Sequence, residues 1–166
     1  ASKIESIDFK EYACVVISDY NKGFIKKDTA LLIAKKCKEN GITLFVDSKK
    51  TDLSCYENAV IKLNSHERIL VKKFPKNYEL IETLGKSGAQ FRGRTYKAYQ
   101  PKIKSINKRD VCGAGDTFMS GLVHHYINID KEISEAINFG NKCAGIVVEK
   151  FGTTQISTHL LSLEDV

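Results

Sequence analysis

Short apolar runs alternate with a segment of helical periodicity along the first half of the chain. The runs Cys14–Ile17, Thr43–Val46 and Ala59–Leu63 are typical of strands buried on both faces of a parallel sheet. A helix is predicted between the first two runs, with Asp28 as its N-cap and Asn40-Gly41 as its end. Strand, helix and strand in this order form a βαβ unit. The predicted apolar face of the helix comprises Ala30, Ile33, Ala34 and Cys37.

The segments around these elements are short. Residues 1–10 indicate a partial strand or a lead-in. The stretch Arg68–Tyr78 is too short for a crossover helix, because parallel strands usually need a dozen or more connecting residues. We expect a single helical turn there, followed by a strand at Glu79–Thr83.

The second half of the chain predicts a hairpin and two helices. Residues 89–109 alternate between polar and apolar, which indicates an antiparallel hairpin around Arg92-Gly93-Arg94. Helices follow over 115–127 and from about Lys131 to Glu149. The pattern therefore predicts a single α/β domain over residues 1–166, with a mainly parallel sheet, flanking helices and a small antiparallel hairpin.

Composition narrows the candidate functions. A chain of 166 residues that is 42% hydrophobic has the size and the core of one domain. The net charge of +6 is spread over separated lysine doublets, which suits small anions and supports nucleic-acid binding only weakly. Without a membrane-length apolar run or a recognisable signal peptide, we expect a cytoplasmic protein that binds neither membrane nor nucleic acid. The cysteines, expected to be reduced thiols, are Cys14, Cys37, Cys55, Cys112 and Cys143.

The stretch Asp110–Phe118 carries the strongest chemical signal. Gly113, Ala114 and Gly115 form a small-residue turn that leads into a helix, and glycines let a ligand approach the main chain closely. The amide groups in the first turn of a helix, together with the positive end of its dipole, bind anions. A carboxylate at Asp116 repels phosphate, so its natural role is to accept the proton of a hydroxyl that attacks the phosphate.

Two structural interpretations compete with this functional one. Asp116 fits an ordinary helix N-cap, where Asp is favoured, and the glycines fit a simple tight turn. Short glycine motifs also recur by chance. The longer string Asp110-x-x-Gly113-Ala114-Gly115-Asp116, with a hydrophobic helix behind it, is far more specific and favours function.

Polar groups follow the predicted strands at their carboxyl ends, where open α/β sheets bind ligands. The loop Ser18–Gly23 follows the first strand, and Asp47 ends the second. Asn64 and Glu67 follow the third strand, where they form either a capping box or a polar pair that holds magnesium-bound water. The pattern Thr83-x-Gly85-x-x-Gly88 suits phosphate oxygens, although alone it is a weak signal.

Taken in order, these motifs resemble those of the ribokinase-type (PfkB) carbohydrate kinases, from about residue 12 to 158. Asp19-Tyr20-x-Lys22-Gly23 and Val147-Val148-x-Lys150-x-Gly152-Thr153 are similar to elements of the heptose-7-phosphate kinase branch, the kinase half of bifunctional ADP-heptose synthases. The resemblance implies a ribokinase-like fold, of which this chain is the carboxyl-terminal, nucleotide-binding half. It also implies transfer of phosphate from ATP to the anomeric hydroxyl of a heptose phosphate, with Mg²⁺ and, as a further candidate, a monovalent cation.

The resemblance also implies a role for each site residue. Asp116 is the expected catalytic base, and the amides of Gly113, Ala114 and Gly115 are the expected anion hole. Asn64 and Glu67 are expected to serve magnesium and phosphate, and Lys22 to contact a phosphate of the substrate. The expected nucleotide-binding residues are Thr83, Gly85, Gly88, Asp110 and Asn141, the last near the adenine.

The chain departs from the family pattern in three respects. Cys112 stands where Thr is common, the segment after Glu67 is shortened, and the amino-terminal half with most sugar contacts is absent. We therefore expect an exposed sheet edge and self-association or a homodimer. The alternative functions are a nucleotide-binding module without turnover and, more distantly, a basic nucleic-acid-binding domain.

Overall fold

The computed structural model of the chain describes residues 2–101, 111–150 and 154–157. The chain folds into two compact units, Ala1–Glu82 and Thr83–Val166. Within the described residues, no helix is both long enough and apolar enough to cross a membrane.

The first unit is built on parallel strands. β1 pairs with β2, and β2 with β3, in parallel, and β4 is the next strand in the order β1-β2-β3-β4. The strands are β1 (Cys14–Asp19), β2 (Thr43–Ser48), β3 (Ala59–Asn64) and β4 (Tyr78–Thr83), and the helices are α1 (Ser2–Glu5), α2 (Lys27–Glu39) and α3 (Ser65–Leu70).

Burial of the strands follows the apolar runs. Phe45, Val46 and Ile61 are fully buried, as expected for β2 and β3 in the interior of a sheet that is covered on both faces. The predicted apolar face of α2 is buried in the same core. By contrast, Val16 in β1 is 44% exposed, and β1 has only β2 beside it among the described strands. Self-association through this edge stays a prediction.

Two local interpretations for the first unit are wrong. Of the two alternatives for residues 1–10, the partial strand is wrong, because α1 is followed by a 3-10 turn at Phe9–Glu11 whose Asp8 side chain accepts a hydrogen bond from the Lys10 amide at 3.0 Å. Asp28 is not the N-cap of α2, because Lys26 holds that position and the helix begins at Lys27. Asp28 instead lies in the first turn, where its carboxylate interacts favourably with the positive end of the helix dipole.

The second unit combines a hairpin with a helix pair. β5 and β6 are antiparallel and turn at Arg92-Gly93, as predicted, although residues 102–109 of the predicted hairpin region lie outside the described residues. Gly140 lets the helices approach closely, because a Cβ there would lie 2.9 Å from the Phe118 carbonyl oxygen. The elements are β5 (Ala89–Phe91), β6 (Arg94–Tyr96), α4 (Ala114–Asn128) and α5 (Ile133–Val148).

Asp19, at the end of β1, is buried with its charge compensated. Its side chain is 3% exposed and accepts hydrogen bonds from the Lys50 ammonium and, at 2.8 Å, from the Tyr56 hydroxyl. Lys50 also donates to the Ile25 carbonyl at 2.7 Å. Burial alone would raise the pKa of Asp19, but the bonds from Lys50 and Tyr56 bring that pKa below its ordinary value. This cluster joins the loop after β1 to the loop after β2.

We predict that Asp19→Asn destabilises the chain by about 3 kcal/mol at pH 7, because it leaves the Lys50 ammonium without its partner. The folded pKa of Asp19 is lowered, so the stabilisation is present above about pH 4, the unfolded pKa, and is lost as the pH falls through the folded pKa. Urea unfolding should therefore show a difference from wild type that shrinks towards pH 3. Asp28→Asn, at an exposed position, is the control and should cost less than about 1 kcal/mol. An equal loss for Asp19→Asn at both pH values would contradict this account.

Candidate functional site

The glycine-rich turn places Asp116 in the first turn of α4. Gly113 is the N-cap and has a left-handed backbone with φ 77°, a conformation that glycine adopts without strain. A hydrogen bond of 2.9 Å from the Thr117 amide to the Gly113 carbonyl forms the first turn of the helix. Asp116 is the third helical residue and is exposed. The interpretation of Asp116 as the N-cap is therefore wrong, because Gly113 occupies that position.

This turn has the chemistry of an anion site beside a carboxylate. The Ala114 amide donates to the Val111 carbonyl at 3.2 Å within the turn, which fixes the direction of the first helical residues. The helix dipole of α4, 15 residues long, adds positive potential at this end. α4 is held in place by Phe118 and Leu122, both buried in the second unit. Asp110, the first residue of the motif, lies outside the described residues.

Asn64 and Glu67 form the capping box that the sequence offered as their structural interpretation. The Glu67 amide donates to the Asn64 side-chain oxygen at 2.8 Å, and the Asn64 amide donates to Glu67 Oε2 at 2.9 Å. Both halves of the box are therefore present at the start of α3. The role of this pair in magnesium and phosphate binding stays a prediction.

A charged network surrounds Glu67. The Lys49 ammonium donates to Glu67 Oε1 and, at 3.2 Å, to Asp47 Oδ1. Asp47 also accepts from Lys62, and both of these side chains are almost fully buried. Burial alone would lower the pKa of Lys49, but its bond to Glu67 and the charges of Asp47 and Glu67 raise that pKa above its ordinary value. Lys49 is therefore a cation at neutral pH.

Sequence reasoning missed this network. Lys49 belongs to one of the separated lysine doublets, and Lys62 lies within the apolar run of the third strand. One signal was available: a lysine inside an otherwise apolar strand is almost never fully buried without a partner. Asp47, at the end of the neighbouring strand and opposite Lys62 in the β2–β3 register, is that partner.

A cavity of about 240 Å³ lies beside Glu67. The two lysines that line it are already paired, since Lys49 bonds Glu67 and Lys50 bonds Asp19. His66 is exposed and borders the cavity. The lining residues are Ser48, Lys49, Lys50, His66, Glu67 and Leu70.

The donor chemistry at Asn64 and Glu67 fits Mg²⁺ only in part. Carboxylate and amide oxygens suit this hard cation. The described residues contain no group of three His, Cys, Asp or Glu side chains that could hold a metal ion. Because Mg²⁺ usually keeps several waters and binds through one or two carboxylates plus substrate phosphates, the fit is to a hydrated ion.

Thr83 is the last residue of β4, and Gly85 and Gly88 lie in the turn that follows. The Leu84 amide donates to the Gly88 carbonyl at 2.7 Å, which closes the turn. Gly88 has a structural reason to be glycine, because φ is 97° and a Cβ would lie 2.0 Å from the Tyr96 carbonyl oxygen. Gly85 has φ 55° with open space around its Cβ position, so at Gly85 a ligand can reach the main chain.

Asn141 and Lys22 occupy different environments. Asn141 is 7% exposed, and its side-chain amide donates to the Tyr96 and Lys97 carbonyls, each at 3.2 Å. It therefore joins α5 to the end of β6. Lys22 is exposed in the loop after β1. The predicted contacts of Asn141 with adenine and of Lys22 with phosphate stay predictions.

Solved structures share this fold. The chain matches phosphofructokinase-2 from Escherichia coli in complex with potassium with a TM-score of 0.70 and 20% identity, covering 90% of this chain and 55% of that one. It matches Arabidopsis thaliana ribokinase complexed with ribose and ATP with a TM-score of 0.64 and 16% identity, covering 86% and 52%. These likenesses confirm the predicted ribokinase-like α/β fold.

Curated relatives are more similar in sequence. The chain is 30% identical over 169 residues to "Bifunctional protein HldE" of Sulfurimonas denitrificans, covering 90% of this chain and 35% of that protein. The protein of the same name from Haemophilus influenzae is 30% identical over 176 residues, covering 95% and 36%. The chain thus spans about a third of the length of these relatives. Residues 7–159 match the profile of the pfkB family carbohydrate kinases, and the chain belongs to that family.

Proposed function

We propose that this chain carries the nucleotide-binding and catalytic part of an ATP-dependent sugar kinase whose acceptor is a heptose phosphate. The observation that carries the proposal is the start of α4, where a left-handed Gly113 precedes the first turn of the helix and an exposed Asp116. Family membership supports phosphate transfer to a sugar. The similarity to HldE proteins, with the heptose-kinase motifs of the sequence, supports heptose phosphate as the acceptor.

Phosphate binding is the first task of the α4 turn. The first amides of a helix point along its axis beyond the N-terminal end, where the helix offers them no acceptor, and they bind anions there, aided by the dipole. Gly113 and Gly115 carry no side chain that would block a phosphate. An anion hole formed by the residues Gly113, Ala114 and Gly115 would stabilise the charge on the transferred phosphoryl group.

Proton transfer is the task of Asp116. Phosphoryl transfer needs a positioned acceptor hydroxyl and a group that takes its proton. With Gly113 as the N-cap, one structural reason for an acid at Asp116 is a favourable interaction with the helix dipole, worth about 0.3–1 kcal/mol. Any acidic residue in the first turn would supply that much. A role as general base explains why the acid stands beside an anion site.

In this proposal, Asn64 and Glu67 bind the magnesium ion. Their oxygens suit contact with the waters of a hydrated ion, and the capping box holds both side chains in place. Bound Mg²⁺ would neutralise charge on the phosphates of ATP. Phosphofructokinase-2 from Escherichia coli was crystallised in complex with potassium, so a monovalent cation remains a candidate without an assigned residue.

The second candidate is a nucleotide-binding module without turnover. It is favoured by one observation, namely that the chain covers only about a third of its curated relatives. Labelled ATP should bind in both cases, with and without Mg²⁺. Sugar-dependent release of ADP, screened over a panel that includes heptose phosphates, identifies the kinase, whereas ATP binding with no such release identifies the module.

We predict that Asp116→Asn lowers turnover about 10²–10⁴-fold, the usual cost of removing a general base. ATP affinity should hold or improve, because a negative charge beside the phosphates is removed. The measurements are ADP release and ATP binding by titration, in the active protein that contains this chain. Asp130→Asn, which removes an exposed acid that follows the C-terminal end of α4, is the matched control and should keep normal turnover. Near-normal turnover in Asp116→Asn would show that the acid serves only the helix dipole.

We also predict that Glu67→Gln weakens magnesium-dependent ATP binding by roughly tenfold, because the variant loses the carboxylate charge. Gln is an acceptable partner in a capping box, so the melting temperature should change by only a few degrees. ATP titrations with and without Mg²⁺, compared with thermal unfolding, separate the two effects. If the magnesium dependence is the same as in wild type, Glu67 is a capping residue and nothing more.

A further inference from the structure

Both oxygens of the Glu67 carboxylate already have protein partners. Oε2 accepts from the Asn64 amide at 2.9 Å, and Oε1 accepts from the Lys49 ammonium. The cation that neutralises this carboxylate in the structure is thus the ammonium group of Lys49. A metal ion that approaches Glu67 from the cavity meets the Lys49 ammonium on the same carboxylate.

We propose that Lys49 is the resident counter-ion of Glu67 and that a hydrated divalent cation must displace its ammonium to reach the carboxylate. The inference rests on the proposed role of Glu67 in magnesium binding. It makes Lys49 a positioning residue, which sets the magnesium concentration at which the site fills.

The two lysines that bond Asp47 differ in their freedom to move. The Lys62 side chain is 4% exposed, whereas that of Lys49 is 36% exposed. Lys49 also borders the cavity of about 240 Å³, which gives its long side chain room to swing away. Asp47 keeps Lys62 when Lys49 leaves, so no buried carboxylate loses its only partner.

The charge balance of the network favours exchange of one cation for another. Two carboxylates, Asp47 and Glu67, face two ammonium groups, Lys49 and Lys62, so the network is neutral. Moving Lys49 away leaves one negative charge at Glu67, which a divalent cation would compensate. The bond from the Asn64 amide to Oε2 persists throughout and keeps the carboxylate in place.

The test is a titration with MgCl₂ alone, without nucleotide and at constant ionic strength set by NaCl. Thermal unfolding of wild type and Lys49→Met gives the Mg²⁺ concentration of half-maximal stabilisation. We expect that concentration to fall roughly tenfold in Lys49→Met, since one competing positive charge is removed. Lys35→Met, which removes an exposed lysine paired with Glu39 on α2, should match wild type. An unchanged or higher concentration in Lys49→Met, or no saturable response to Mg²⁺ in any of these proteins, overturns the proposal.

A second measurement follows the response to Mg²⁺ in the unaltered chain and uses a variant only to assign a signal. In ¹⁵N-lysine-labelled protein, the hydrogen-bonded ammonium signals of Lys49 and Lys62 are followed while MgCl₂ is added, with Lys49 assigned through Lys49→Arg. The Lys49 signal should shift or broaden, and the Lys62 signal should remain. A Lys49 signal that does not respond while Mg²⁺ stabilises the protein contradicts displacement.

Neither measurement contains ATP or sugar, so the two proposals fail separately. A chain that transfers phosphate while Lys49 stays on Glu67 refutes only the counter-ion exchange. A chain in which Mg²⁺ displaces Lys49 but no phosphate is transferred refutes only the kinase function.

Discussion

A buried carboxylate needs a cationic partner, and this constraint shapes the carboxyl-terminal edge of the parallel strands. Asp19 ends β1 and Asp47 lies near the end of β2, and both are almost fully buried. An unpaired charge in such a place costs several kcal/mol. Lys50 compensates Asp19, and Lys62 with Lys49 compensates Asp47. The loops that follow the strands are therefore held by ion pairs as well as by apolar packing.

The same constraint links stability to the proposed chemistry in the first unit. Lys49 forms hydrogen bonds with Asp47, a buried residue of β2, and with Glu67 in the first turn of α3. Glu67 is the residue proposed to bind magnesium. The capping box fixes Glu67 from its other side. A residue that is structural in this sense can still act on a ligand, because the cap uses only Oε2 of Glu67, whereas Oε1 is bonded by the partly exposed Lys49. The confirmed cap and the proposed magnesium role are therefore compatible.

Periodicity predicted most of the fold because burial is a local property of the sequence. The apolar runs became β1, β2 and β3, and the predicted apolar face of α2 is buried. Helix starts were less predictable, since Asp28 and Asp116 both looked like N-caps while Lys26 and Gly113 hold that position. The backbone conformation determines which residue is the N-cap. Gly113 adopts a left-handed conformation, which cannot be predicted from the preference of Asp for N-cap positions. The partnership of Lys62 with Asp47 depends on strand register, which becomes visible only in three dimensions.

The central claim is that ATP phosphates bind at the start of α4. The most direct measurement is amide NMR of the ¹⁵N-labelled chain during addition of a non-hydrolysable ATP analogue with Mg²⁺. The account predicts that the largest shifts fall on the amides of Ala114, Gly115 and Asp116, while those in the middle of α4, such as Leu122, remain in place. Saturable binding of the analogue that leaves the first turn of α4 unchanged would contradict it.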